Sequence, residues 1–235
     1  MENVKSLLTV PFSTANYRKF SNNFLNEIDS VPLQENTEIP SMFKNTIHSY
    51  TVFGTYQDNE GNNIIILSVK VKDYSNAQKA QRNFVAYMLE NVFDDYNAAL
   101  VAYFDDFRKN WKLSFVTVEY EIGENGVELK FKPAKRFSFL VGEGEPSKTY
   151  IQQLSPIFDN NFKPSLHEIE NAFSVARLTK DFYINYRDKF IELVSILEKN
   201  EEFIEQAKLI NEKPKKYAIT FAKKTLGQIV FLFLY

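Results

Sequence analysis

Seven consecutive residues, A-A-L-V-A-Y-F at Ala98 to Phe104, carry no charge and a single hydroxyl. A strand can be apolar at every position only where both of its faces are covered, so this run predicts a central, buried strand of a sheet. The rest of the chain must then supply flanking strands and covering layers. With 235 residues, 44% of them hydrophobic, it can do so as one large domain or two small ones.

The surrounding segments take up those roles. Residues 1–30 show helical spacing, with Phe20, Phe24 and Ile28 on one stripe after a cap at Ser13 or Asn16. Pro32 and Pro40 mark residues 31–46 as a connecting loop. Ile47 to Gln57 and Asn62 to Lys72 are β-rich runs flanking D-N-E-G, the pattern of an antiparallel hairpin. Ser75 caps an expected helix to about Val92 whose inner face is Ala77, Ala80, Phe84, Tyr87 and Met88. Strands are expected again at Lys112 to Tyr120 and Gly126 to Phe131. In the latter, Val127, Leu129 and Phe131 alternate with Glu128, Lys130 and Lys132, which gives a sheet with one wet face.

After Pro164 the pattern is helical. Ser165 and Glu168 fit a capping box, Thr179 caps a helix through about Lys199, and Pro214 opens another at its first turn. The expected class is α/β (α+β), with a mixed-sheet domain over residues 1–160, a boundary at Asp159 to Pro164, and a helical connector over 161–235.

Composition narrows the chemistry. A net charge of -2 gives no global polyanion-binding signature, so any nucleic-acid contact must come from a local basic face. The absence of cysteine excludes disulfides, thiolate catalysis and Cys-based zinc sites, and suits a reducing cytoplasm. His48 and His167 are too few for a multi-histidine metal centre. Pro11 cuts short the first apolar stretch, and the final run I-V-F-L-F-L-Y falls well below the roughly 20 residues of a membrane span. No membrane association is expected. Because that run carries no cap, the chain is expected to continue into a longer protein.

The second hairpin run, I-I-I-L-S-V-K-V-K, places Ser68, Lys70 and Lys72 on one side and Leu67, Val69 and Val71 on the other. A helix, a hairpin, a helix and a further strand make up the core of the PD-(D/E)XK nuclease fold, and Ser-x-Lys stands where that fold keeps Glu-x-Lys. There, two carboxylates hold Mg²⁺ and the lysine positions and deprotonates a water. A turn centred near Glu60 and Gly61 would set Thr51 opposite Lys70 and Phe53 opposite Ser68, with no acid across from the lysine. Lys70 is thus the candidate catalytic residue, and Asp58, Asp73 and Glu27 are the acids from which a partner would come. The bland alternative is a solvated strand lysine.

A DNA-facing surface is expected from Lys72 together with Gln78, Lys79, Gln81, Arg82 and Asn83 on the following helix. The segment K-F-K-P-A-K-R-F adds Lys130, Lys132, Lys135 and Arg136. G-E-G-E-P-S-K-T at Gly142 to Thr149 approaches a phosphate loop, but Ser147 replaces its second glycine and two glutamates oppose phosphate.

The ordered blocks I-I-L-S-V-K-V-K, Q-R-N-F-V, A-A-L-V-A-Y-F, W-K-L-S-F-V, P-A-K-R-F-S-F-L-V-G-E-G-E, F-S-V-A-R-L-T-K-D-F-Y and F-A-K-K-T-L-G-Q-I-V-F-L-F-L-Y resemble the N-terminal region of type II (type IIG-like) restriction-modification DNA methyltransferases. The resemblance covers most of residues 47–235. It implies a nuclease-like domain and a helical connector, followed in a longer chain by an S-adenosylmethionine-dependent adenine methyltransferase. Neither Asn-Pro-Pro-Tyr nor a glycine-rich cofactor loop occurs in these residues. Three functions follow as expectations: a DNA-binding nuclease-like domain with an incomplete catalytic site, an active Mg²⁺-dependent endonuclease, or an assembly module that docks a partner protein.

Overall fold

The computed structural model describes residues 4–72, 78–117, 135–158 and 162–234. It is a mixed α/β protein, and its contacts divide it into two compact units, residues 1–174 and 175–235.

The first unit is built on a mixed sheet. Its strands are β1 (Asp29–Ser30), β2 (Glu35–Asn36), β3 (Ile47–Gln57), β4 (Asn63–Val71), β5 (Ala98–Phe104), β6 (Asn110–Thr117) and β7 (Lys135–Gly142). The order is β1-β3-β4-β5-β6-β7, with β2 also paired to the outer edge of β3. β4 and β5 run parallel and the other pairs run antiparallel. That parallel pair requires a crossover, which is supplied by α3 (Gln78–Asn91). The all-apolar run is the central strand expected of it: Ala98 through Tyr103 are fully buried.

Each face of β5 has its own core. Leu100 and Ala102 join Ile64, Ile66 and Phe115 beneath α1 (Val4–Leu8), α2 (Thr14–Phe24), α4 (Lys148–Phe158) and α5 (Leu166–Phe173). Ala99, Val101 and Tyr103 join Leu67, Val69 and Val71 beneath Phe84, Val85, Met88 and Leu89 of α3. Period-two alternation on β4 and β5 therefore feeds two separate apolar layers.

The expected first helix is two helices. Pro11, which has no amide to donate, falls between them, and the Ser13 hydroxyl accepts the Asn16 N–H to start α2. α2 ends at Phe24, after which Asn26 and Glu27 take positive φ. Ile28 is buried as expected, but from the loop after the helix. The strand expected at Gly126 to Phe131 lies outside the described residues, while β7 and α4 are elements that the sequence reading did not assign.

The Ser165–Glu168 capping box is present. Its helix α5 buries Ile169, Ala172 and Phe173 in the core of the sheet unit, so that unit runs past the boundary expected at 159–164. The second unit consists of α6 (Val175–Leu197), α7 (Glu201–Leu209) and α8 (Pro214–Leu234). α6 starts before Thr179, directly after Ser174. Phe203 stacks on Tyr217 with ring centroids 4.7 Å apart, and Ala207, Ala218 and Ala222 are buried beside them. No helix among the described residues is long and apolar enough to cross a membrane.

Candidate functional site

Lys70 lies near the carboxyl end of β4, paired with Phe104 at the end of β5. Its face of the strand begins with the core residues Ile64 and Ile66 and becomes polar at Ser68 and Lys70. The result is a cleft of about 320 Å³, whose lining includes Thr14, Glu35, Ser49, Ser68, Lys70 and Phe104. Ser49 and Ser68 are each 2% exposed and form its floor.

The hairpin register differs from the expected one by two residues. Ser49, not Thr51, faces Lys70, and Thr51, not Phe53, faces Ser68. One residue comes from the turn, where Gln57 pairs with Asn63. The other comes from an irregularity between Val52 and Gly54 that leaves Phe53 as an extra residue in β3. Phe53 is fully buried there, with its ring edge-on to Tyr17 at 5.0 Å. A shift of one would have reversed the faces; a shift of two restores parity, so hydroxyls still face the lysine.

A carboxylate does reach the cleft, from a source that the sequence did not suggest. Glu35 on β2 pairs with Thr51 and accepts the Ser49 hydroxyl at 2.5 Å. The residue sits in a polar loop with no strand pattern, so no local signal marks it. A second acid, Asp106 in the β5–β6 turn, forms an ion pair with Lys70 at 2.7 Å. It lies two residues past Phe104, and only the parallel pairing of β4 with β5 brings it to the lysine.

The three expected partner acids are elsewhere. Asp58 is at the opposite end of the hairpin, where its carboxylate accepts four hydrogen bonds: from the backbone N–H groups of Glu60, Asn62 and Leu166 and from the Asn62 amide. Burial raises its pKa, but these four donors outweigh that and hold it below the ordinary aspartate value. Glu27 is exposed beyond Asp29, which pairs with Thr55. That position is six residues along β3 from Ser49, roughly 20 Å at the usual strand rise. Asp73 lies outside the described residues.

The expected DNA-facing residues also separate. Lys72 is exposed, and its ammonium donates to the Lys44 carbonyl at 2.7 Å. Asn83 is exposed on α3. Gln81 is fully buried, contrary to the exposed face expected for it. It shares the stripe 81, 84, 85, 88 that packs α3 onto the sheet, and its carbonyl accepts the Tyr103 hydroxyl at 3.1 Å. Gln78, Lys79 and Arg82 on α3, and Lys135 and Arg136 on β7, are described by backbone only. Lys130 and Lys132 lie outside the described residues.

The segment from Gly142 to Thr149 does join a strand to a helix. Its two glutamates, however, are bound back to β6 and the turn before it, with Glu143 on Lys109 at 2.8 Å and Glu145 on Asn110 at 2.7 Å. They tie the loop down with negative charge where a phosphate would need donors.

A nuclease centre would hold Mg²⁺ with carboxylates on the inward hairpin positions. Those positions carry Ser49, Thr51 and Ser68, and Glu35, the one acid among the described lining residues, already accepts Ser49. Among the described residues this donor set does not put two carboxylates on the hairpin positions that a Mg²⁺ centre needs, because the other nearby acid, Asp106, is paired with Lys70 itself. What the cleft offers is an ammonium paired with Asp106, one carboxylate, several hydroxyls and an aromatic wall, groups suited to binding a polar ligand. No family model, curated protein or solved structure matches this chain.

Proposed function

We propose that the sheet unit is a nuclease-like DNA-binding domain that holds DNA without cleaving it, working within a restriction-modification DNA methyltransferase. The order of α2, the β3–β4 hairpin, α3 and the parallel strand β5 supports the scaffold part of this reading. The observation that carries the non-cleaving part is the pairing of Lys70 with Ser49 and of Ser68 with Thr51: hydroxyls stand at the places where metal-binding acids would be needed. A lysine without those acids can still attract a phosphate, through charge and a hydrogen bond.

Fluorescence anisotropy with a labelled duplex, titrated across a salt series, tests the binding. Affinity should fall linearly with salt on a log-log scale. Binding that is absent at low ionic strength would sink the DNA reading. Incubation with supercoiled plasmid and Mg²⁺ tests the chemistry: no nicking is expected, and cleavage that Lys70→Ala abolishes would replace this reading with that of an active endonuclease.

A further inference from the structure

The Lys70 cleft adjoins a second one. A groove of about 600 Å³ along α2 has Arg18, Lys19, Asn22 and Asn23 as its main polar lining, and Thr14 and Leu33 line both spaces. The lining residues run from Asn22 and Asn23 in the last turn of α2, through Thr14 in its first, to Lys70.

The composition of α2 explains its character. The helix T-A-N-Y-R-K-F-S-N-N-F contains no acid. Its inner row, Tyr17, Phe20, Ser21 and Phe24, is buried against the sheet. Thr14, Arg18 and Asn22 then form one outward row at four-residue spacing, and Ala15, Lys19 and Asn23 form the next. A cation is therefore followed, about 6 Å along each row, by an amide donor: Arg18 by Asn22 and Lys19 by Asn23. Arg18 is held in place: Nη2 donates to the Val31 carbonyl at 2.8 Å, and its guanidinium lies 6.0 Å from the centre of the Phe53 ring. Glu35, the one acid among the described lining residues of either cleft, is bound to Ser49 at the far end.

We infer that this groove is a track for one phosphate backbone of DNA, with α2 supplying the contacts that align it toward Lys70. The inference rests on the DNA-binding reading above and specifies where the strand lies. Charge complementarity selects this occupant, since two cations and two amides lining one groove can donate to neighbouring phosphate oxygens. The expected binding is accordingly salt-sensitive and indifferent to sequence.

The test uses the full chain and a short labelled duplex. Lys19→Glu combined with Asn23→Asp alters two exposed positions. It should weaken binding about tenfold or more and lower the log-log salt slope by about one. Lys19→Ala, which favours the helix, should weaken binding about threefold if the double variant melts at a lower temperature. If the wild-type chain binds and Lys70→Ala weakens it while the α2 variants leave affinity and slope unchanged, the track is wrong and the DNA reading stands. If the wild-type chain shows no salt-sensitive binding, both fall together.

Discussion

The Asp58 carboxylate accepts the backbone N–H of Leu166 at 2.8 Å, joining the β3–β4 turn to the first turn of α5 across 108 residues of chain. Beside it, the Tyr56 hydroxyl donates to the Pro164 carbonyl at 2.7 Å. Burial raises the Tyr56 pKa, and the negative charges of Asp58 and Glu168 raise it further, so the phenol remains a donor across the physiological range. An acid that composition alone offered to catalysis is thus a structural pin between two distant segments.

Asp58→Ala removes the acceptor for four donors at a residue that is 5% exposed. Leaving these part-buried donors to water or unpaired costs about 1 kcal/mol or more. Urea unfolding followed by circular dichroism should show a loss of about 1–2 kcal/mol, with DNA affinity unchanged. A loss of affinity without a loss of stability would return Asp58 to the binding site.

The same residue makes stability depend on acid. Its folded-state pKa is lowered from 3.8, so its contribution is complete above the unfolded value. It is lost as pH falls from there through the folded value, because the unfolded chain takes up the proton first. Comparing unfolding midpoints from about pH 5 to about pH 2 should show a steeper decline for the wild type than for Asp58→Asn. Parallel curves would remove Asp58 from the acid response.

Gly54 sits where β1 crosses close to β3, and a Cβ there would come within 2.5 Å of the Asp29 carbonyl oxygen. Backbone occupies that space, and it cannot swing aside as a long side chain can. Gly54→Ala should therefore cost roughly 1–3 kcal/mol, the usual range for overpacking. Amide hydrogen exchange should show lost protection at Val31, whose N–H donates to the Phe53 carbonyl at 3.1 Å. A variant as stable as wild type would mean that β1 shifts freely.

Lys70 is shared between the cleft and Asp106. Their ion pair is open to solvent, with side chains 25% and 60% exposed, and such pairs contribute about 0–1 kcal/mol. Asp106→Asn should change the melting temperature little. It removes a negative charge that competes with phosphate, so duplex affinity at low salt should rise about threefold. An unchanged affinity would argue that Lys70 does not meet the phosphate.

Much of the scaffold was legible because neighbouring residues encode it. The bounds of β3 and β5 follow from a β-rich run before a glycine-containing turn and from an all-apolar run, and Ser13 is one of the two caps that the helical stripe after it allowed. Gln81, expected on the DNA-facing surface, is buried instead, and its place on the stripe with Phe84, Val85 and Met88 was the signal that counted against that expectation. Glu35 and Asp106 carried no such mark. Their roles depend on β2 pairing with Thr51 and on β4 lying parallel to β5, contacts between segments that are distant in sequence.

The division is sharpest at Lys70. Alternation along one strand determined that Ser68 and Lys70 share a face, since successive side chains must point to opposite sides. Which residues meet them depended on the turn pairing and on the extra residue at Phe53, a choice tied to packing that ring against Tyr17. Local period is a property of adjacent backbone units. Register, and with it the Ser49, Glu35 and Asp106 surroundings of the lysine, follows only when the whole sheet closes around its core.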